Sequence, residues 1–125
     1  MSRALAPFVG AVLLSGCVAT EPVAVIPSAA RPADVTAARA HIRATGRKPD
    51  TMRFRGEVGF ETGQGDHIIC GEYAATGRVG EAVGFTTYYA RLRGGQIEVA
   101  HFESGQGVSA CRNARNGLIN VPARP

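Results

Sequence analysis

Lysine is almost missing from this 125-residue chain. Lys48 stands alone, and arginine supplies 13 of the 14 basic residues. Against 10 acidic residues the formal excess is +4, small and dispersed. That argues against a nucleic acid as partner and leaves a mild attraction for phosphates and anionic lipid headgroups. Long apolar runs are missing too. The run at the amino end, Ala4 to Leu14, has eleven residues with Pro7 inside it, about half of the roughly 20 needed to span a bilayer. There is no phosphate loop, nucleophile elbow or dinucleotide fingerprint, so none of the enzymes built on those motifs is indicated. No internal repeat is present. Cysteine is scarce and odd in number, with Cys17, Cys70 and Cys111 alone.

What is present begins at the amino end. One basic residue, Arg3, precedes the apolar run, and small residues close it at Leu14-Ser15-Gly16-Cys17. A positive start, a short apolar run and small residues at its end make an export signal. The last four residues resemble the lipobox of bacterial lipoproteins. The resemblance implies that the Cys17 thiol carries a diacylglyceryl group, that residues 1–16 are cut away, and that the new amino terminus is acylated. Several acyl chains on one residue hold a protein at a membrane far more firmly than one chain does. Val18 stands where Asp resembles an inner-membrane retention mark, which points to the outer membrane, facing the periplasm. The alternative is an ordinary secretory signal cleaved at a site such as Cys17-Val18-Ala19.

If Cys17 carries lipid, two cysteines remain in an oxidising compartment and only one pairing is open, Cys70 with Cys111. The length allows one domain with one modest core. Residues 17–31, with Pro22 and Pro27 and no helical period, read as a flexible tether. Residues 32–125 read as a small α+β domain.

Within that domain Val35, Ala38 and Ile42 recur at helical spacing over 34–45, with Asp34 or Pro32 at the start and Gly46 and Pro49 at the end. Arg39, Arg43 and Arg47 recur on another side as a solvated or basic face. Alternation then predicts strands over 51–62, 67–74, 83–93, 96–103 and, briefly, 108–112. Gly56 and Gly59 suggest a bulge, and Gly94-Gly95 a tight hairpin. The residues after 113 show little pattern, although Leu118-Ile119 suit the sheet edge. The expected fold is one amino-terminal helix packed on a four- to five-stranded antiparallel meander with a single disulfide.

Three short blocks carry a second resemblance. Pro49, Thr51, Phe54 and Arg55 form the first, Cys70-Gly71-Glu72 the second, and Gly80, Gly84 and Phe85 the third. They are similar to a set of small exported bacterial proteins without assigned function. In those proteins a short helix precedes Asp-Pro-x-Ser-x-x-Phe-Arg, Cys-Gly-Glu-x-Asn and Gly-Gly-Tyr-x-Gly-Phe. Here Lys48 replaces the Asp, Ala74 the Asn, Glu81 a Gly and Ala82 the Tyr. The resemblance implies no activity. Arg55, Glu72 and Phe85 within these blocks are candidate interaction residues.

Residues with chemistry to offer are few. His67, Cys70, His101 and Cys111 are zinc-ligand types. However, His67 and Cys70 lie three apart on a strand and point to opposite faces, and the compartment favours the disulfide. Glu57 and Glu72 are carboxylates on adjacent strands, better placed for ion pairs with neighbours such as Arg55 than for a glycosidase pair. Tyr88 and Tyr89 take opposite faces, one expected in the core and one exposed. No catalytic set, metal or cofactor is indicated. The expectation is a lipid-anchored, non-enzymatic envelope module that contacts the membrane through Cys17 and an envelope protein or the cell wall. The alternatives are a wall-sugar binder or small enzyme, and a lysozyme-inhibitor-like lipoprotein.

Overall fold

A computed structural model describes residues 19–45, 49–76, 84–103 and 105–123. Cys17 and the expected signal over residues 1–16, Gly46 to Lys48, and Gly80 to Ala82 lie outside the described residues.

The chain runs β1 (Thr20–Ser28), α1 (Pro32–Thr45), β2 (Arg53–Thr62), β3 (Asp66–Ala74), β4 (Thr86–Arg93), β5 (Gln96–His101), α2 (Gln106–Arg115) and β6 (Leu118–Pro122), with a 3-10 turn at Pro49–Thr51 before β2. The strands form one antiparallel sheet in the order β5-β4-β3-β2-β1-β6, curled into a half-barrel. This corrects the expected helix on a four- to five-stranded meander at three places.

The segment expected to be a tether is β1. Its two prolines are tolerated because β1 is paired on one side at a time: Thr20–Ala24 pair with β6, and Val25–Ser28 with β2. A residue without an N–H fits a strand whose other side is open. Val23 and Val25 point into the core, while Pro22, Ala24 and Ile26 point outward. The second correction is α2, which replaces the short strand expected over 108–112. Gly107, Cys111 and Ala114 are its buried residues, spaced four and three apart as one helical stripe requires. A Cβ on Gly107 would run into the backbone carbonyls of Thr87 and His101, so only glycine lets α2 lie this close to β4 and β5. The third correction is β6, a full edge strand formed by residues that show little pattern, of which only Leu118-Ile119 were expected at the sheet edge.

Two cores result, one on each face of the sheet. Under α2 lie Val23, Val25, Phe60, Ile68, Cys70, Tyr89, Ile119 and Val121. Under α1, Ala38 and Ile42 pack on Ile69, Tyr88, Ala90 and Leu92. β3 and β4 are therefore covered on both sides, which explains why Ile68-Ile69-Cys70 reads as a continuous apolar run. Tyr88 and Tyr89 are both buried, at 0% and 5% exposure, so neither is the exposed aromatic expected of that pair. The register between β2 and β3 shifts between Arg55 and Val58, where Gly56 has φ 65°, as the glycines suggested. Gly94 and Gly95 take φ 57° and 78° in the β4–β5 hairpin. Arg39 does not stand on a free basic face. Its guanidinium donates to Glu57 at 2.8 Å and lies 5.3 Å from the Phe54 ring, and Arg43 covers the same ring.

Burial, and then the Glu57 carboxylate, pushes the Tyr88 phenol far above its ordinary value of 10.0; burial raises Tyr73 and Tyr89 as well. A phenol raised in the folded state keeps its proton after the unfolded chain has lost its own. The stability it contributes is full below about pH 10 and drains away as pH rises toward the folded value. Urea midpoints are therefore expected to hold steady between about pH 8 and pH 9.5 and to fall above pH 10. Tyr88→Phe should lessen that fall, with Tyr73 and Tyr89 supplying the rest, at little cost near neutrality, because the buried hydroxyl makes no well-formed hydrogen bond. An unchanged midpoint from pH 9 to pH 11 would contradict this.

Candidate binding cleft

Among the described residues the half-barrel does not close. Its edge strands there are β5 and β6, and between them lies a cleft of about 680 Å3. β5 contributes Glu98, Val99 and His101, and β4 contributes Tyr89 and Arg91 behind it. Ile119, Asn120 and Pro122 of β6 form the facing wall. Gln106, Ser109, Ala110 and Asn113 come from α2.

An ionic network is buried at the back. Arg91, 7% exposed at its side chain, donates through Nη1 to Asp66 Oδ2 at 3.2 Å and to Glu98 Oε2 at 2.7 Å. Arg93 donates through Nε to Asp66 Oδ1 at 2.7 Å and through Nη2 to the Gln64 carbonyl at 2.9 Å. Asp66 is 0% exposed, and its own N–H donates to Thr62 Oγ1 at 3.2 Å. Sheet register builds this arrangement. Asp66 pairs with Arg93 and Ile68 with Arg91, which puts both guanidiniums on the parity of Asp66. The β4–β5 register shift between Arg91 and Leu92 then admits Glu98. Two cations and two carboxylates balance, so the cleft carries little net field at its base, and each charge has the partner that burial demands.

In front of the network Tyr89 and His101, a cross-strand pair, stack with ring centroids 5.8 Å apart and planes at 24°. Burial raises the Tyr89 phenol while the neighbouring Arg91 guanidinium pulls it down. The rim is of another kind. Gln106, Ser109, Asn113 and Asn120 offer amides and a hydroxyl, each able both to donate and to accept.

Of the residues with chemistry singled out in the sequence, Tyr89 and His101 line the cleft. Cys70 and Cys111 form the disulfide, with Cα atoms 5.9 Å apart, and tie α2 to β3 beside it. His67 faces the opposite side of the sheet from Cys70, as the strand period requires. Arg55, Glu72 and Phe85 do come together. Arg55 Nε donates to Glu72 Oε2 at 2.7 Å, and its guanidinium lies 3.6 Å from the Phe85 ring centroid. They satisfy one another and lie outside the cleft lining. Glu57 is in an ion pair, as expected, but with Arg39 of α1, and its side chain is 10% exposed. Among the described residues no three His, Cys, Asp or Glu side chains converge as a metal site.

Sequence reasoning missed Asp66, Arg91, Arg93 and Glu98. A signal was present: Arg91 and Arg93 share one parity of a strand whose other parity is Tyr88, Ala90 and Leu92. In a strand buried on both faces, such charges must be paired inside. Comparison with protein-family models, with curated proteins and with solved structures finds no match for the chain.

Proposed function

We propose that this chain is a lipid-anchored protein of the cell envelope, a non-enzymatic interaction module that receives an extended segment of a partner protein between β5 and β6. One observation carries the reading: the cleft is bounded by the two open edges of a single sheet. A sheet edge presents backbone N–H and C=O groups that no further strand pairs, and an added strand is their natural complement. The rim amides suit a peptide backbone, which also donates and accepts. A wall sugar is favoured less, because Tyr89 is 5% exposed and has no open ring face on which a sugar would stack. The anchor reading rests on Leu14-Ser15-Gly16-Cys17, and Val18 after it supports the outer membrane, facing the periplasm.

The test uses the full chain in its own envelope. Intact mass should show a protein starting at Cys17 with acyl additions, and Cys17→Ser should release it to the soluble fraction. A photo-crosslinking residue at Ser109, in the cleft, should capture one extended segment of one envelope protein, while the same residue at Arg112 should not. A synthetic peptide of that segment should bind, and Asn113→Trp, which fills the cleft, should weaken binding at least tenfold. Capture that is equal from positions 109 and 112, or peptide binding indifferent to Asn113→Trp, would overturn the cleft as the binding element.

A further inference from the structure

The outward face of β1 and β6 stands apart from the rest of the sheet. Val23, Val25, Ile119 and Val121 point into the core under α2, so the residues between them point the other way. Pro22, Ala24, Ile26 and Leu118 are all exposed there, and none carries a charge; Asn120 and Pro122, on the same parity of β6, are uncharged too but reach the edge that lines the cleft. Ile26 at 58% and Leu118 at 52% are the two most exposed large hydrophobic residues among the described residues. α1 does not shield them, since it packs on Ile69, Tyr88, Ala90 and Leu92 of β3 and β4. In a chain where about one residue in five is charged, an uncharged strip two strands wide calls for a neighbour. From Pro22 to Ile26 it extends about 14 Å along β1 at the usual strand rise.

The strip begins where the proposed anchor ends. Thr20, the first residue of β1, lies three positions after Cys17. Three extended residues reach at most about 11 Å. The first residue of β1 is then held within that distance of the surface, where the anchor converts even a weak apolar contact into an intramolecular one at high effective concentration.

We infer that the outward face of β1 and β6 rests on the phospholipid surface that holds Cys17, so that the domain is seated on the bilayer rather than suspended from a tether. This rests on the lipid-anchor reading. β6 then stands between the bilayer and the cleft, and a partner segment enters alongside the membrane.

The lipid on Cys17 and the Cys70–Cys111 disulfide leave an introduced cysteine as the single free thiol. Full-length acylated protein carrying Ala24→Cys or Arg112→Cys, labelled with an environment-sensitive fluorophore, is placed in phosphatidylethanolamine–phosphatidylglycerol vesicles containing a spin-labelled quencher lipid. Position 24 lies in the strip, and Arg112 is exposed on α2 beyond the opposite face. Quenching at least twofold greater at position 24 than at 112 is expected, and Ile26→Glu with Leu118→Glu should abolish the difference while leaving the protein membrane-bound. Acylated protein quenched equally at both positions would overturn this inference and leave the anchor standing. Shielding of position 24 that rises with protein density rather than with quencher lipid would show a second copy there, and would overturn it too. A protein of native mass without acyl chains would overturn the anchor reading, and the seating with it.

Discussion

Asp66→Ala is expected to cost about 3–5 kcal/mol of folding stability, the usual penalty for removing one partner from a buried ionic group. Asp66 is fully buried and accepts from both Arg91 and Arg93. With its carboxylate gone, Arg91 keeps Glu98 but remains 7% exposed, too little for water to replace the lost charge. The truncated side chain also leaves a void. Glu98→Gln should be far milder, within about 1 kcal/mol, because Glu98 is 32% exposed and water screens its loss. The pair separates a buried charge network from a surface ion pair. Urea unfolding at pH 7 would show Asp66→Ala shifted strongly and Glu98→Gln shifted little. Equal small shifts would mean that the network is solvated and does not support the cleft.

The second large effect concerns the disulfide. Reducing it, or replacing both cysteines with alanine, should cost about 4 kcal/mol from the chain entropy of a closed loop of this length. The bridged residues are separated by 41 positions and are both 0% exposed. For a domain of about 100 residues, 4 kcal/mol corresponds to a fall in melting temperature of roughly 15–30 °C. The loss has a second consequence. Cys111 sits mid-way along α2, which supplies one wall of the cleft, so the untied helix should loosen that wall and weaken peptide binding. Calorimetry of the oxidised and reduced chain checks the first point, and titration with the captured peptide at a temperature where both are folded checks the second. A reduced protein melting within about 5 °C of the oxidised one would contradict the entropic account.

Much of the centre of the fold was legible in the sequence. β2, β3, β4 and β5 lie within three residues of the boundaries that alternation suggests, and α1 begins at Pro32, one of its two expected starts. Local chemistry was enough for these elements: a period of two, a period near 3.6, and glycines where φ must be positive. The Cys70–Cys111 pair and the Arg55–Glu72 ion pair followed from counting and from strand adjacency. The cleft was not legible, because its walls come from β4, β5, α2 and β6, and two of those elements were misread.

The misreadings share a cause. β1 carries two prolines, and β6 is five residues long. Neither has enough local signal to stand as a strand: β6 becomes one by pairing with β1, and β1 by pairing with β6 and β2. Residues 108–112 alternate well enough for a strand. They become helix because burial of Gly107, Cys111 and Ala114 on one stripe, with a disulfide at its centre, stabilises α2 more than a strand pairing would. The sequence by itself determined the central meander, the first helix and the cysteine pairing, because those depend on neighbours along the chain or on simple counting. Only the tertiary structure decided the two outer strands, the second helix and the open seam. Those elements are stabilised by contacts between residues far apart in sequence, and such contacts leave no local period to read.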